Sequence, residues 1–215
     1  MRQTLWSATT ELHARPMAPH LVYFLRHGET DWNAERRLQG QLDIPLNAIG
    51  RRQSAQCATV LRRLLAASNR TPEDFTFVSS PLRRARETME IVRAGLQLAP
   101  HDYAADSRLL EMSFGRWEGL TFREVKATGR GILAERERDK WNFRPPDGES
   151  YAQLLARVEE WHSTASGNLI VAAHGGVARV LRVIFGARTK ADAVLGTVQQ
   201  GVVYELSAGF TDCHA

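Results

Sequence analysis

Two apolar runs in this chain stop at the same punctuation, and that repetition constrains the fold more than any other feature. Leu21-Val22-Tyr23-Phe24-Leu25 breaks into Arg26-His27-Gly28, and Leu169-Ile170-Val171-Ala172-Ala173 breaks into His174-Gly175-Gly176. A buried strand ending in a histidine and a glycine delivers a reactive group to the carboxyl edge of a sheet, where open α/β folds place their ligands. Taken singly, each histidine is a nucleophile, a metal ligand or a satisfied structural residue.

Two further apolar runs bounded by breakers, 75–79 and 202–207, complete four expected strands together with 21–26 and 169–173. Helical spacing fills the intervals. One pattern begins near Asn47 and carries Cys57, Val60, Leu61, Leu64 and Leu65, with Arg51, Arg52, Arg62 and Arg63 free to face water. A second follows Ser80-Pro81, whose proline suits a first helical turn. Its apolar face is Leu82, Ala85, Met89 and Val92. A third starts at Glu149-Ser150, with Leu154, Leu155, Val158 and Trp161 on one side, and a fourth follows Gly175-Gly176. The alternation predicts an α/β fold, a three-layer sandwich whose mostly parallel sheet is flanked by helices. Residues 112–148 break the rhythm and read as a helical and loop excursion capping one end of the sheet. Residues 1–20 are polar and read as an extension ahead of one domain spanning 21–215.

The same junction recurs twice more. VSSPLRRARET (78–88) ends a strand and opens a helix with Arg83 and Arg84, and LLEMSFGRWEG (109–119) carries Glu111 after a short apolar segment. In a parallel sheet these junctions share one edge, so Arg26, His27, Arg84, Glu111 and His174 can converge. Each piece also has a plain reading: Arg83-Arg84 as a solvated helical face, Glu111 as a cap, Gly175-Gly176 as a tight turn.

With these pieces in hand, the chain resembles the histidine phosphatase superfamily, in its phosphoglycerate-mutase-like branch and on the phosphatase side. LRHGETDWN, RLQGQLDIPLNAIGRRQ, SSPLRRARET, LLEMSFGRWEG, PPDGES and AAHGG occur in the family's order across residues 21–176. The resemblance implies a nucleophilic His27 that forms a phosphohistidine, then hydrolysed by water. Arg26 and Arg84 would clamp the phosphoryl group, His174 would stabilise it, and Glu111 would protonate the leaving group. Asn33, Gln39 and Gly40 match pocket positions, and Gly28 and Gly175 allow close backbone approach. Nearby guanidinium groups should keep His27 neutral.

The expected reaction is hydrolysis of a small phosphorylated metabolite with no cofactor and no metal. A metallohydrolase with His27, His174 and Glu111 as ligands, a phosphoglycerate mutase and a non-catalytic phospholigand-binding protein are the competing readings. FGRWEG, PPDGES and the short 120–144 segment point to the phosphatase side. Asp147 stands where many relatives carry glycine. Residues 112–151 should select the substrate. There Trp117, Trp141, Phe143 and Tyr151 are candidates for an apolar wall or plain core. Arg116, Arg138 and Arg144 are candidates for a second anion site or solvated surface.

Composition narrows the setting. Net charge is +4, yet only three of the 28 basic residues are lysines (Lys126, Lys140 and Lys190). They are scattered among acidic neighbours, as in Glu135-Arg136-Glu137-Arg138-Asp139, which argues against nucleic acid as a partner. No apolar stretch suits a transmembrane helix, and Cys57 and Cys213 make no metal or disulfide spacing. The expected location is the cytoplasm.

Overall fold

The structure is a computed structural model that describes residues 21–128 and 131–215; the extension expected over residues 1–20 lies outside the described residues. Six strands form one sheet: β1 (Val22–Arg26), β2 (Phe75–Ser79), β3 (Ala104–Ala105), β4 (Asn168–Ala173), β5 (Val203–Ser207) and β6 (Phe210–His214). Their spatial order is β3-β2-β4-β1-β5-β6. β3, β2, β4 and β1 run parallel, whereas β5 is antiparallel to β1 and β6 antiparallel to β5.

The central strands are apolar throughout because both of their faces are covered. Val22, Phe24, Leu169, Val171 and Ala173 pack into one core with α6 (Tyr151–Thr164) and α7 (Gly175–Ile184). The alternate residues Leu21, Tyr23, Leu25, Ile170 and Ala172 pack into a second core with α2 (Ala48–Ala67) and α3 (Arg83–Gly95). Two helical layers therefore sandwich the sheet, as the apolar runs imply.

Local capping sets where the helices begin. Asn47 Oδ1 accepts the Gly50 N–H at 2.9 Å and starts α2. Ser150 and Gln153 form a reciprocal capping box at α6. α3 departs from expectation. It begins at Arg83, so Pro81 precedes the helix instead of occupying its first turn. The first N–H is capped from a distance, by Asp43 Oδ1 accepting from Arg83 N at 2.6 Å. Two short helices, α1 (Asp31–Ala34) and α8 (Lys190–Ala193), flank the sheet end.

The excursion carries α4 (Phe122–Thr128) and α5 (Ile132–Arg138) and has a small core of its own. Leu38, Trp117 and Val125 are buried there, with Phe114, Leu120, Ile132, Leu133 and Phe143 packed against them. Two backbone hydrogen bonds, Leu38 N–H to Leu120 O and Gly119 N–H to Leu38 O, staple it to the loop after α1. Trp117 and Trp141 are thus core residues. Among the described residues, no helix is long and apolar enough to cross a membrane.

Candidate active site

Register explains why two histidines 147 positions apart meet. β1 and β4 are parallel neighbours with Arg26 opposite Ala173, so the next residues are His27 and His174. The His27 N–H donates to Ala173 O at 2.9 Å, and the two imidazole centroids lie 5.3 Å apart. β2 joins from the other side of β4, where Ser80 Oγ sits 2.7 Å from His174 Nε2.

The tautomer of His27 follows from its partner. Nδ1 lies 2.8 Å from Gly28 O. A carbonyl only accepts, so Nδ1 carries the hydrogen and Nε2 keeps its lone pair. Burial holds the His27 imidazolium well below its ordinary range, and the Arg84 and Arg26 guanidinium groups add to this. Burial does the same to His174, again helped by Arg84. Both shifts favour the neutral ring, the form in which an imidazole has a lone pair to offer phosphorus.

The arginines are held by backbone carbonyls, with one edge left unpaired. Arg84 donates through Nη1 to Leu42 O and through Nη2 to Gly40 O, both at 2.7 Å. Its guanidinium is wholly buried, and burial lowers its pKa to about 10. Arg26 donates through Nη1 to Val198 O at 2.6 Å. The Nε atoms of Arg26 and Arg84 and Nδ1 of His174 are buried without a protein partner. Unpaired buried donors are costly unless a ligand accepts from them, so this cluster is a ready site for an oxyanion.

Glu111 is clamped by amides. Its Oε1 accepts from Met112 N at 2.9 Å and Gly176 N at 3.0 Å, and Oε2 from Gly176 N at 3.2 Å. Arg157 braces the same loop by donating to Arg108 O and Leu110 O while pairing with Glu149 at 2.8 Å.

A cavity of about 290 Å³ opens over these groups. Arg26, His27, Asn33, Gln39, Gly40, Arg84, Glu111 and Gly175 line it, eight of the ten predicted site residues. The remaining two stand behind the wall. His174 is fully buried beneath His27. Gly28 does allow a close backbone approach, but that of a helix, and it does not line the cavity as a phosphate-binding residue would. Its missing Cβ makes way for α2, since a Cβ would come within 2.2 Å of Gly50 O. Its N–H donates to Thr88 Oγ1 at 3.1 Å. His27, His174 and Glu111 do not make a metal-binding cluster, and no group of three such side chains does among the described residues.

Several lining residues escaped the sequence reading. Arg37, Arg136, Arg179, Phe114 and Phe122 all face the cavity, and they are joined by Tyr151, which the sequence reading did offer as a wall residue. Burial raises the Tyr151 phenol pKa, with the neighbouring Arg179 charge acting against it. Gln200 donates through Nε2 to His27 O at 3.1 Å and Asn33 Oδ1 at 3.0 Å, tying the loop before β5 to His27. Arg179 had a legible signal, lying one helical turn after Gly175 on α7, whereas nothing local marks Gln200. Of the two readings offered for Arg116, Arg138 and Arg144, a second anion site or solvated surface, their positions away from this cavity fit the second. Arg116 pairs with Asp147 on the surface, Arg144 donates to Gly148 O, and Arg138 lines a separate depression beside Trp141.

Comparison with known proteins agrees with this geometry. The profile of the histidine phosphatase superfamily (branch 1) matches residues 22–201. Glucosyl-3-phosphoglycerate phosphatase of Mycobacterium tuberculosis (strain ATCC 25618 / H37Rv) is 35% identical over 181 residues, covering 77% of this chain and 74% of that one. "Probable phosphoglycerate mutase GpmB" of Escherichia coli O1:K1 / APEC is 37% identical over 137 residues, covering 64% of this chain and 59% of that one. Among solved structures, the mycobacterial glucosyl-3-phosphoglycerate phosphatase complexed with VO3 superposes with a TM-score of 0.72 at 30% identity, covering 87% of this chain and 92% of that one.

Proposed function

This chain belongs to the histidine phosphatase superfamily, branch 1, and we propose that it hydrolyses a small phosphorylated metabolite through a phosphohistidine on His27. The observation that carries the reading is the placement of His27, with Nδ1 tied to Gly28 O, among the buried, unpartnered nitrogens of Arg26, Arg84 and His174. Nε2 of His27 forms a bond to phosphorus as the bond from phosphorus to the alcohol oxygen breaks. Arg26 and Arg84 neutralise the equatorial oxygens, where this reaction gathers its charge. Glu111 delivers a proton to the departing oxygen. Water then attacks the phosphohistidine, gives its proton to Glu111 and releases orthophosphate with neutral His27. The placement of a carboxyl and a histidine on one cavity supports this sequence, as does the relative named as a phosphatase.

Rapid quenching with a ³²P-labelled phosphomonoester tests it. The wild type should accumulate acid-labile, base-stable label that decays to orthophosphate in water, and His27→Ala should show none, with turnover reduced at least about 1,000-fold. Transfer of that label to 3-phosphoglycerate in preference to water would favour a mutase instead.

A further inference from the structure

The groups of the proposed chemistry are not all held alike. Arg26 stands in β1 and Arg84 in α3, and His27 and His174 follow the ends of β1 and β4. Glu111 has no such support. Residues 110–114 lie between two short 3-10 turns, Ser107–Leu109 and Gly115–Trp117, and belong to no strand or helix. Backbone without a ladder still needs partners for its carbonyls and amides.

Two side chains at the start of α6 supply them. Arg157 donates through Nη1 to Arg108 O at 2.7 Å and to Leu110 O at 3.0 Å, and its Nη2 reaches toward Glu111 O at 3.5 Å. The same guanidinium forks onto Glu149, Nε to Oε1 at 3.1 Å and Nη2 to Oε2 at 2.8 Å. Glu149 in turn accepts from Ser113 N at 3.2 Å and donates its own N–H to Ser113 O at 2.8 Å. One ion pair thus grips the segment on both sides of Glu111. Its members are about one-fifth exposed (21% and 20%), so water competes little for the fork. Neither lines the cavity. The Glu111 carboxylate takes one of its amide clamps, Met112 N, from the gripped segment and the other, Gly176 N, from α7. A shift of the segment therefore pulls the carboxyl off α7.

We propose that the Arg157–Glu149 pair positions the proton donor: it fixes where the Glu111 carboxyl meets the leaving oxygen while touching no substrate itself. The proposal rests on the phosphatase reading above. In the step concerned, the carboxyl proton passes to the departing oxygen as that oxygen's bond to phosphorus breaks. Without Arg157 the carbonyls of 108 and 110 lose their donor and the segment moves to regain one. A misplacement of about 1 Å costs such a transfer up to about 100-fold. Lysine cannot replace the arginine, because one ammonium cannot hold two carbonyls and both carboxylate oxygens in a planar fork.

Two substrates of nearly the same shape test this. Phenoxide needs a proton as it leaves, whereas p-nitrophenoxide departs readily without one. kcat/KM, which covers the step that releases the phenol, is measured for phenyl phosphate and p-nitrophenyl phosphate. Arg157→Gln and Arg157→Lys should each widen the preference for p-nitrophenyl phosphate by about tenfold or more, with kcat/KM on p-nitrophenyl phosphate itself kept within about threefold of wild type. Glu111→Gln should widen the preference too, and adding Arg157→Gln to it should change the ratio by less than about threefold, because Arg157 acts through Glu111. The ratio is read within one protein, so a general loss of folded enzyme leaves it unmoved. An unchanged ratio in both Arg157 variants, equal losses on both substrates, or a full second widening on top of Glu111→Gln overturns the positioning role. A Glu111→Gln variant with the wild-type ratio overturns the acid role and the brace together, while labelled phosphohistidine on His27 still stands. Absence of turnover by the wild type on both substrates overturns the phosphatase reading itself.

Discussion

The carboxyl end of the sheet and the capping excursion face the same cavity but are built differently. At the sheet end, functional groups are held by backbone. His27 is fixed by Gly28 O, Arg84 by Gly40 and Leu42 carbonyls, Glu111 by Met112 and Gly176 amides. The excursion uses side chains that stand in water, such as Arg116 with Asp147 at 2.6 Å and Lys140 with Glu137 at 2.8 Å. Exposed pairs contribute about 0–1 kcal/mol, so they can be exchanged without unfolding the domain. The chemistry is anchored where the core energy is spent, and the substrate-facing wall where sequence change costs little.

The sharpest way to break the contrast is to unseat one backbone-held group with a single methyl. In Gly176→Ala the new Cβ would stand 2.3 Å from Glu111 Oε1 and 3.0 Å from Leu154 Cδ2. Leu154 is fully buried in the core, so the carboxylate is the member that yields. The expected result is a loss of about 10- to 100-fold in kcat on alkyl phosphates, whose leaving groups need a proton, and a much smaller loss on p-nitrophenyl phosphate. Parallel kinetics on the two substrates check this. Equal losses would mean that the pocket collapses as a whole and that Gly176 is not a positioning residue for Glu111.

The buried histidines give the sheet end a pH signature that the excursion lacks. Burial and the neighbouring arginines hold both His27 and His174 well below the ordinary histidine range. Below about pH 6.5 the unfolded chain therefore binds protons that the folded chain does not. Stability should rise with pH up to about 6.5 and then flatten, with a slope on the acid side of up to about 1.4 kcal/mol per pH unit for each histidine. Denaturant unfolding between pH 5 and 8 measures it. His162 is lowered by burial as well and adds to the slope, so His27→Gln should remove one histidine's share, up to about 1.4 kcal/mol per pH unit, and an unaltered slope would show that the ring is protonated in the folded state.

These differences also explain what was legible in the sequence. Strand ends advertise themselves: an apolar run that stops at Arg26-His27 or His174 places its residue on the sheet edge by register alone. The two-residue β3 is too short for any periodicity to show. The polar stretch Thr211-Asp212-Cys213-His214 of β6 lies at an exposed edge of the sheet, so no buried face marks it. In the excursion, arginine content was visible but direction was not. Arg136 and Arg138 are two residues apart on α5, yet one faces the cavity and the other a separate depression. Only the packing of α5 on Leu38, Trp117 and Val125 settles which, through Ile132 and Leu133.

Asp147 supplies the gentlest test, because it holds a backbone conformation that favours glycine and has a visible partner there. Its φ is +58°, in the left-handed region that glycine adopts freely and that costs another residue about 1 kcal/mol, somewhat less for aspartate. In return the carboxylate meets Arg116 at 2.6 Å, with both side chains more than two-thirds exposed (76% and 68%). A pair so wet contributes about 0–1 kcal/mol, and glycine also adds backbone freedom to the unfolded chain, worth about 0.4–1 kcal/mol. The three effects nearly cancel. Asp147→Gly should shift unfolding free energy by less than about 1 kcal/mol in either direction and leave kcat/KM unchanged, since Asp147 does not line the cavity. A change in kcat/KM of tenfold or more would show that the turn at 145–148 positions substrate. It would erase the division of labour between a backbone-fixed chemical end and an exchangeable wall.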